Sequence, residues 1–222
     1  MLRKELTINI FVVNSLFFLF KGLIIMSQYF ENTNLPSNIE EYETKIFNLV
    51  FKFKTDNGVF SKGKLDFGTR VLLESLPISE MSGDVLDLGC GYGVVSIILS
   101  RLINARFDAV DVNKRALHLC EMNSKLNNSY NINFIESFCY DGIDQNKKYD
   151  YIITNPPIRA GKDVVYKMLR GAKEYLKPGG FLYFVMRKDH GAKTAMRDVS
   201  DIYEIEVIKK EKGFFIFKCF LR

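Results

Sequence analysis

Short apolar runs alternate with amphipathic segments from residue 84 to the end of the chain. Runs typical of buried strands cover residues 85–88, 106–110, 132–136, 151–154 and 181–186, and helical spacing marks 93–102, 114–127, 163–176 and a segment near 190–199. Lys177-Pro178-Gly179-Gly180 predicts a turn between the helix at 163–176 and the strand at 181–186. Two last strands, about 202–209 and 214–220, are joined by Lys212-Gly213 as an antiparallel hairpin. Strands that alternate with helices in this way predict an α/β fold, with seven strands in one largely parallel sheet.

The pattern before residue 84 predicts a hairpin and a helix. Apolar residues recur at every second position over residues 47–53, which indicates a half-buried strand. The turn sequence at 56–58 would lead into a returning strand from Val59. A helix is expected to begin at Phe67 and to stop before Pro77.

Residues 1–26 differ in composition from the rest of the chain. Residues 6–26 are strongly apolar, but polar side chains interrupt the run, and it lacks the small-residue cleavage site of a signal peptide. Because a polar stretch follows Met26, we expect residues 1–25 to be translated from an upstream start codon, with a hydrophobic membrane anchor as the alternative. One folded domain is expected over residues 26–222, with an irregular or partly helical lead-in at 27–45 and no stable membrane partner.

Composition and charge narrow the function only a little. The 222 residues are 47% hydrophobic and 26% charged, as in an ordinary soluble globular protein, and the net charge of +5 is compatible with a nucleic-acid partner. Four cysteines without a C-x-x-C pair, together with two histidines, give no metal-site pattern. Reduced thiols of this kind are typical of a cytoplasmic protein.

A glycine-rich loop follows the first strand of the sheet. Residues 87–93 read Asp-Leu-Gly-Cys-Gly-Tyr-Gly, so we expect a strand, a tight turn and the start of a helix. Unpaired N–H groups at the helix start and glycines without a Cβ let a ligand approach the main chain. The spacing differs from the dinucleotide fingerprint G-x-G-x-x-G, and Asp87 would place a carboxylate beside a pyrophosphate. The loop favours a cationic ligand, such as the sulfonium and α-ammonium groups of S-adenosylmethionine, with Asp87, Gly89, Gly91 and Gly93 as candidate binding residues.

Two further strand ends meet this loop at the carboxyl edge of the sheet, where open α/β sheets bind their ligands. Asp111 directly follows the run 106–110, and its carboxylate can accept hydrogen bonds from both hydroxyls of a ribose. The alternative role for Asp111 is to cap the next helix, for which Asn113 is a second candidate.

Asn155-Pro156-Pro157-Ile158, after the strand at 151–154, is the most informative stretch. Two prolines fix the backbone and remove two N–H donors, so the remaining polar groups are acceptors: the Asn155 side-chain oxygen and the Pro156 carbonyl. An aryl or amide NH₂ group is a poor nucleophile because its lone pair is conjugated. Two acceptors that hold its hydrogens turn the lone pair toward an electrophile and stabilise the charge that develops.

With both motifs present, the chain resembles the class I (Rossmann-like) methyltransferases. Residues 58–61 and 66–70, together with Ile158, make it similar to the bacterial rRNA guanine-N2 methyltransferases of the small-domain type, over roughly residues 45–220. Related adenine, cytosine and glutamine enzymes usually have an aromatic residue at the position of Ile158. The resemblance implies a Rossmann-like seven-stranded methyltransferase sheet with an N-terminal β-hairpin, and S-adenosylmethionine as cofactor. It also implies rRNA or the small ribosomal subunit as partner, and a cytoplasmic location.

The resemblance also assigns residues. Asp111 would bind the ribose, Asn155 would contribute to cofactor binding, and no metal is needed. The catalytic residues it implies are Asn155, Pro156, Pro157 and Ile158. Phe138 stands where relatives often carry Asp or Asn near the adenine amine, and this sequence lacks the duplicated, inactive N-terminal half of the members that act on small-subunit rRNA.

Two other functions remain open. A protein glutamine-N5 methyltransferase would keep the fold and the cofactor, but Ile158 disfavours it. A catalytically silent RNA-binding module would keep only the pocket, and the intact Asp87, Asp111 and Asn155 disfavour that function. Candidate phosphate contacts, equally well explained as solvated surface charges, are Arg159, Lys162, Lys62 and Lys64.

Overall fold

The computed structural model describes residues 35–222. The predicted extension or anchor at residues 1–25 lies outside the described residues. Over residues 35–222, no helix combines the length and the apolar character needed to cross a membrane. The same residues contain no group of three or more His, Cys, Asp or Glu side chains that could hold a metal ion.

The strands of the described residues belong to two sheets. An antiparallel hairpin contains β1 (Glu40–Ile46) and β2 (Leu49–Thr55). The larger sheet contains β3 (Gly83–Leu88), β4 (Ala105–Asp111), β5 (Ile132–Glu136), β6 (Tyr149–Thr154), β7 (Leu176–Arg187), β8 (Tyr203–Glu211) and β9 (Phe214–Leu221). Its order is β5-β4-β3-β6-β7-β9-β8, and β9 runs antiparallel to both of its neighbours while the other pairs are parallel. The predicted α/β fold with a seven-stranded sheet and an N-terminal hairpin is confirmed.

Helices alternate with the strands of the larger sheet. They are α1 (Phe67–Glu74), α2 (Val94–Ser100), α3 (Lys114–Leu126), α4 (Lys162–Gly171) and α5 (Ala192–Val199). β3 is buried along its length after Gly83, as expected for a strand with neighbours on both sides. The chain turns one way from β3 to β4 and returns on the other side as β6, which opens a crevice at the carboxyl end of β3. Both sequence motifs lie at this crevice.

The partner of the second hairpin strand is not the predicted one. Its turn lies at Phe47 and Asn48, whose φ angles of 51° and 63° fit a two-residue hairpin turn, so the partner strand precedes β2. Residues 56–66 contain turns in place of the predicted returning strand, and the predicted irregular or partly helical lead-in at 27–45 is wrong for residues 40–45, which belong to β1.

The reason for this error is the charge on the exposed face of β1. Glu43 and Glu41 form ion pairs with Lys52 and Lys54 across the hairpin, at 2.9 and 3.2 Å. An acidic segment whose apolar positions alternate with glutamates is difficult to distinguish from a loop until its partner strand is known.

Two asparagines attach the hairpin to α3. Asn123 accepts a hydrogen bond from Lys54 N at 2.7 Å and donates to Lys54 O at 2.9 Å, and Asn127 does the same for Lys52 at 3.0 and 2.7 Å. The side-chain amides thus satisfy backbone groups that a neighbouring strand would otherwise satisfy. The hairpin is thereby held beside the glycine loop, where the hydroxyls of Tyr42 and Tyr92 are 2.9 Å apart.

The turn predicted at residues 177–180 is a bulge within β7. Tyr149 pairs with Leu176 and Tyr151 pairs with Phe181, so four residues of β7 lie opposite one residue of β6. Gly180 is required there because a Cβ would lie 2.9 and 3.0 Å from the carbonyl oxygens of Tyr149 and Asp150. The predicted helix 163–176 is too long at its end. α4 ends at Gly171, and β7 already begins at Leu176.

Candidate active site

The loop between β3 and α2 is fixed to the end of β4 by main-chain hydrogen bonds. Gly89 N and Cys90 N both donate to the Val110 carbonyl oxygen, at 2.8 and 2.9 Å. Gly91 N donates to the Asp111 carboxylate at 2.8 Å. The loop therefore has one conformation set by its neighbour, with the backbone of Gly91 at its outer turn.

Glycine is required at positions 91 and 93 of the loop for different reasons. Gly91 and Gly93 have φ angles of 55° and 95°, in the left-handed region that side chains disfavour. A Cβ on Gly93 would lie 2.4 Å from Cys120 Sγ and 2.7 Å from Ile97 Cδ1, inside the core. A Cβ on Gly91 would meet no atom within 4 Å, so it would project into open space in front of the loop.

We expect Gly93→Ala to lower the free energy of unfolding by about 2–5 kcal/mol, the sum of a left-handed residue and an overpacked core. Gly91→Ala is the matched control, with an expected cost of roughly 1–2 kcal/mol from backbone strain alone. Urea unfolding of the two variants without ligand measures the difference. Equal losses would contradict the assignment of Gly93 to the core.

Asp87 lies behind the glycine loop and is only 2% exposed. Its Oδ2 accepts a hydrogen bond from Ser96 N at 2.9 Å, and so satisfies a free N–H of the first turn of α2, whose N-cap residue is a glycine. Burial raises the pKa of Asp87 to about 7, against the opposing effect of the Ser96 hydrogen bond. The structure thus gives Asp87 a capping role, and its part in binding a cationic ligand stays a prediction.

The raised pKa of Asp87 links stability to pH. An unfolded aspartate titrates near about 3.9, whereas the folded carboxyl titrates near 7 because burial disfavours its charged form. Its contribution to stability is therefore fully present below the unfolded pKa and is lost as the pH rises through the folded pKa. A cation bound in front of the loop would favour the charged carboxylate and lower this pKa.

Asp111 ends β4 with its carboxylate turned toward the loop. Its two oxygens accept hydrogen bonds from Gly91 N and Asn113 N, both at 2.8 Å, and burial raises its pKa. The cap of α3 is Asn113, whose Oδ1 accepts from Arg115 N and Ala116 N at 3.0 and 3.2 Å. The alternative of Asp111 as the helix cap is therefore wrong. The carboxylate keeps acceptor capacity for a ligand hydroxyl.

Asn155 follows β6, and its side chain is oriented by α1. Its Nδ2 donates to Thr69 Oγ1 at 2.9 Å and to Asp66 Oδ2 at 3.3 Å, and Thr69 Oγ1 donates to the same Asp66 oxygen at 3.2 Å. Because a carboxylate can only accept, the amide nitrogen of Asn155 must face α1. Its Oδ1 is consequently on the other side of the amide and is available to accept a hydrogen bond.

Sequence reasoning did not find Asp66 and Thr69 as partners of Asn155. They lie 89 and 86 residues away along the chain. The signal that the sequence does contain is a helix cap, since Asp66 accepts from Thr69 N at 2.9 Å at the start of α1. The cap pattern predicts that Asp66 accepts a hydrogen bond from the main chain of α1, but it does not predict that Asn155 also donates to Asp66.

Hydrogen bonds on both sides of the two prolines hold the segment after Asn155 in place. Thr154 Oγ1 donates to Leu88 O at 2.7 Å, which joins the end of β6 to the end of β3. In the short turn that follows, the carbonyl oxygens of Pro157 and Ile158 accept from Ala160 N and Gly161 N, at 2.9 and 3.2 Å. The main-chain bonds described for this turn do not use the Pro156 carbonyl, which keeps its acceptor capacity beside Asn155.

The basic residues predicted as phosphate contacts separate into two groups. Lys62 pairs with Glu40 at 2.9 Å, and Lys162 pairs with Asp198 at 3.6 Å, so both have intramolecular roles. Arg159, directly after the motif, is exposed, and so is Lys64. The structure brings Arg159 to the crevice and leaves its contact with phosphate as a prediction.

Comparison with known proteins agrees with this geometry. Residues 50–218 match the methyltransferase small domain family. The uncharacterised protein YbxB of Bacillus subtilis (strain 168) is 36% identical over 193 residues, which cover 86% of this chain and 96% of that protein. Ribosomal RNA small subunit methyltransferase C of Colwellia psychrerythraea is 31% identical over 90% of this chain and 56% of its own length. The chain thus spans about half the length of this curated rRNA methyltransferase.

A solved structure shows the same fold. The Thermus thermophilus 16S rRNA N2 G1207 methyltransferase (RsmC), in complex with AdoMet and guanosine, aligns with a TM-score of 0.75 and 24% identity, over 86% of this chain and 53% of that chain. The family match confirms the resemblance drawn from the two motifs, and with it S-adenosylmethionine as the expected cofactor. The chain belongs to the methyltransferase small domain family.

Proposed function

We propose that this protein transfers the methyl group of S-adenosylmethionine to the exocyclic N2 of a guanine in small-subunit rRNA, in the cytoplasm. The observation that carries the proposal is the fixed orientation of the Asn155 amide, whose nitrogen is held by Asp66 and Thr69. An amide held this way offers an acceptor and no donor to a substrate. An NH₂ group fits such a site, whereas a carbonyl or a carboxylate does not.

The residues around the glycine loop fit the cofactor. Open space in front of Gly91 gives a ligand access to the main chain, and Asp111 offers acceptor lone pairs to a pair of hydroxyls. The buried Asp87 places a carboxylate behind the loop, which favours a positively charged ligand group. When bound, S-adenosylmethionine supplies an electrophilic methyl group on its sulfonium.

Asn155 and Pro156 would act on the nucleophile. The Asn155 Oδ1 and the Pro156 carbonyl each accept one hydrogen of the amino group, which turns its lone pair out of conjugation with the ring and toward the methyl group. As the bond from nitrogen to the methyl carbon would form and the carbon–sulfur bond of the sulfonium would break, positive charge would develop on the nitrogen, and the two acceptors would stabilise it without reorganising. The chain's contribution is therefore orientation and electrostatics.

No general base is required by this arrangement. The nitrogen that has gained a methyl group is a strongly acidic ammonium, which loses its proton readily to water. Asp66 is a carboxylate within hydrogen-bond distance of Asn155. Its side chain already accepts hydrogen bonds from Thr69 and Asn155. We therefore assign Asp66 to positioning and not to proton transfer.

Guanine in RNA is favoured over a protein amide by two observations. Ile158 lies half-buried after the prolines, where adenine, cytosine and glutamine enzymes usually have an aromatic residue. Several relatives, among them the Colwellia psychrerythraea protein, carry the name rRNA small subunit methyltransferase C, and the aligned Thermus thermophilus structure is titled an N2 enzyme of 16S rRNA. A target amine within a stacked base is out of reach, so we expect a flipped or loop guanine as the substrate.

Thr69→Val tests the orientation of the amide. The substitution keeps the shape of the side chain and removes the hydroxyl that holds Asn155 Nδ2. We expect kcat to fall by about 5–10-fold, which corresponds to one lost hydrogen bond, with the dissociation constant of S-adenosylmethionine unchanged within about twofold. Thr69→Ser, which retains the hydroxyl, is the control and should keep near-normal kcat. Equal activity in the two variants would remove Thr69 from the positioning network.

Transfer of label from S-adenosylmethionine decides the class of substrate. Purified protein would be incubated with radiolabelled cofactor and one of three acceptors: 30S particles, naked small-subunit rRNA, or a peptide-chain release factor. We expect label in RNA. Label in the release factor alone would favour the glutamine alternative, and no label in a single-turnover reaction with any acceptor would favour a silent binding module.

A further inference from the structure

We propose that a cationic rim at the β7 end and the β8–β9 turn binds RNA phosphates next to the target base. The rim consists of Arg187, Lys188, Lys210 and Lys212, none of which is among the phosphate contacts predicted from the sequence. The inference rests on the proposed function, since it names the surface by which the same site would hold its substrate.

The rim lies at the same edge of the sheet as Asn155. β7 is parallel to β6, so Arg187 at the end of β7 and Asn155 after β6 share the carboxyl edge. Lys188 N donates to Gly213 O at 2.8 Å, which fixes the β8–β9 turn to the end of β7. The rim is therefore part of the sheet framework and is held in a defined position.

Strand order places the rim opposite the cofactor. The order β4-β3-β6-β7-β9 puts the glycine loop and Asp111 on one side of Asn155, and the rim on the other. In-line transfer requires the acceptor nitrogen to approach from the side away from the cofactor. A substrate that enters from that side passes the rim.

Aromatic packing connects Arg187 and Lys212 with the catalytic crevice. The ring of Phe214 lies 5.6 Å from that of Phe67, and a Cβ built on Gly68 would lie 2.6 Å from Phe214. Asp66, which orients Asn155, directly precedes Phe67. The Phe214–Phe67 contact thus connects the rim to the residue pair, Asp66 and Phe67, at the start of α1.

Three of the four cations lie against aromatic rings. Arg187 Cζ lies 5.4 Å from the centre of the Phe214 ring, and Lys212 Nζ lies 4.9 Å from that of Phe67. Lys210 Nζ lies 5.4 Å from the centre of the Phe215 ring. Packing of this kind holds a charged group at a defined place while it remains accessible to an anion.

The positive charge of this edge is not balanced by its own carboxylates. Residues 187–190 and 209–213 contain five Lys and Arg side chains against two acidic ones, Asp189 and Glu211. Asp189 lies 3.3 Å from Arg187, and Glu211 lies 3.6 Å from Lys209, in exposed pairs that compete weakly with a phosphate. A cluster of cations with this excess of positive charge favours a polyanion such as an RNA strand.

Neutralising the rim tests the proposal. The rim variant carries Lys188→Gln, Lys210→Gln and Lys212→Gln. The control variant carries Lys125→Gln, Lys148→Gln and Lys173→Gln, which lie at the last turn of α3 and just before β6 and β7, at the opposite edge of the sheet. Both variants lose three positive charges. A third variant with arginine at the three rim positions restores the charge.

Binding of a fluorescein-labelled small-subunit rRNA transcript would be measured by anisotropy at several salt concentrations, beside methylation kinetics. We expect the rim variant to raise Kd and KM for RNA by about 10–100-fold and to reduce the slope of log K against log salt by roughly 2, at about 0.7 for each lost single-strand phosphate contact. The expected kcat at saturating RNA and affinity for S-adenosylmethionine stay within about twofold. The control and arginine variants should match the wild type.

The outcomes distinguish a failure of the rim proposal from a failure of the proposed function. If the wild type methylates RNA and the rim and control variants have equal Kd and equal salt slopes, the rim proposal fails and the proposed function stands. If the wild type methylates a protein and not RNA, the proposed function fails, and the rim proposal fails with it. Melting temperatures that match across the variants exclude unfolding as the cause of a lost affinity.

Discussion

Replacing Asn155 with alanine is expected to lower kcat by about 10²–10³-fold, the scale of removing one preorganised polar group from a reacting centre. In the proposed mechanism the Asn155 oxygen contacts the amino group most strongly when charge develops on nitrogen, so its loss is expected to act on the transition state. The dissociation constant of S-adenosylmethionine should change by no more than about threefold. Single-turnover kinetics and calorimetry on the same preparation measure the two quantities.

Asn155→Asp is the informative companion to the alanine variant. It keeps the size of the side chain, but it replaces the Nδ2 donor with an oxygen beside Asp66, 3.3 Å away in the wild type. Two carboxylates at that distance repel, so we expect kcat to be as low as in Asn155→Ala. A loss of cofactor affinity that fully explains the lost rate in either variant would show that Asn155 binds the cofactor and does not orient the amine.

Removing Asp111 has the second large expected effect. Asp111→Ala should weaken S-adenosylmethionine binding by about 1.5–3 kcal/mol, the scale of hydrogen bonds to a charged acceptor, which is roughly 10–150-fold in Kd. The same carboxylate accepts from Gly91 N, so its removal also frees the outer turn of the loop. Calorimetry measures the affinity, and the melting temperature without cofactor reports the effect on the loop.

Asp111→Asn distinguishes the charge from the hydrogen bonds. Its amide can still accept from one of the two main-chain donors, but it offers fewer lone pairs to a diol. We expect an affinity between those of the wild type and Asp111→Ala. Unchanged affinity in the alanine variant, with the fold intact, would exclude Asp111 from the cofactor site.

The sequence predicted the larger sheet well because its central strands are buried on both faces. Continuous apolar runs such as residues 181–186 can only be core, and the glycine loop and the Asn-Pro-Pro motif lie at strand ends as expected. β1 was missed because it is covered on one face only and carries Glu41 and Glu43 on the other. The bulge at 177–180 was interpreted as a turn because Pro-Gly-Gly has the same local conformations in both.

What the sequence did not show is the set of long-range polar contacts. Asn123 lies on the buried face of α3, and nothing local indicates that its amide would bond the backbone of Lys54, 69 residues away. The positioning of Asn155 by Asp66 and Thr69 has the same character. Contacts of this kind depend on tertiary geometry, whereas motifs depend on local chemistry, and so the motif identifies Asn155 as a candidate without identifying the residues that orient it.

The position of Asp87 illustrates a second limit. Its charge was expected to face the ligand, and the structure places its carboxylate behind the loop, on Ser96 N. A sequence shows which residue precedes a glycine turn, but it does not show on which side of the turn the side chain lies. The electrostatic argument for a cationic ligand still applies at this depth, because a buried carboxylate is only weakly screened.

Identification of the methylated nucleoside tests the central claim most directly. Small-subunit rRNA or 30S particles would be incubated with the wild-type protein and isotope-labelled S-adenosylmethionine, digested to nucleosides and analysed by mass spectrometry, with Asn155→Ala as the inactive control. We expect the label in N2-methylguanosine, and none in the control. Label in N6-methyladenosine, or in glutamine of a protein factor, would contradict guanine N2 as the acceptor.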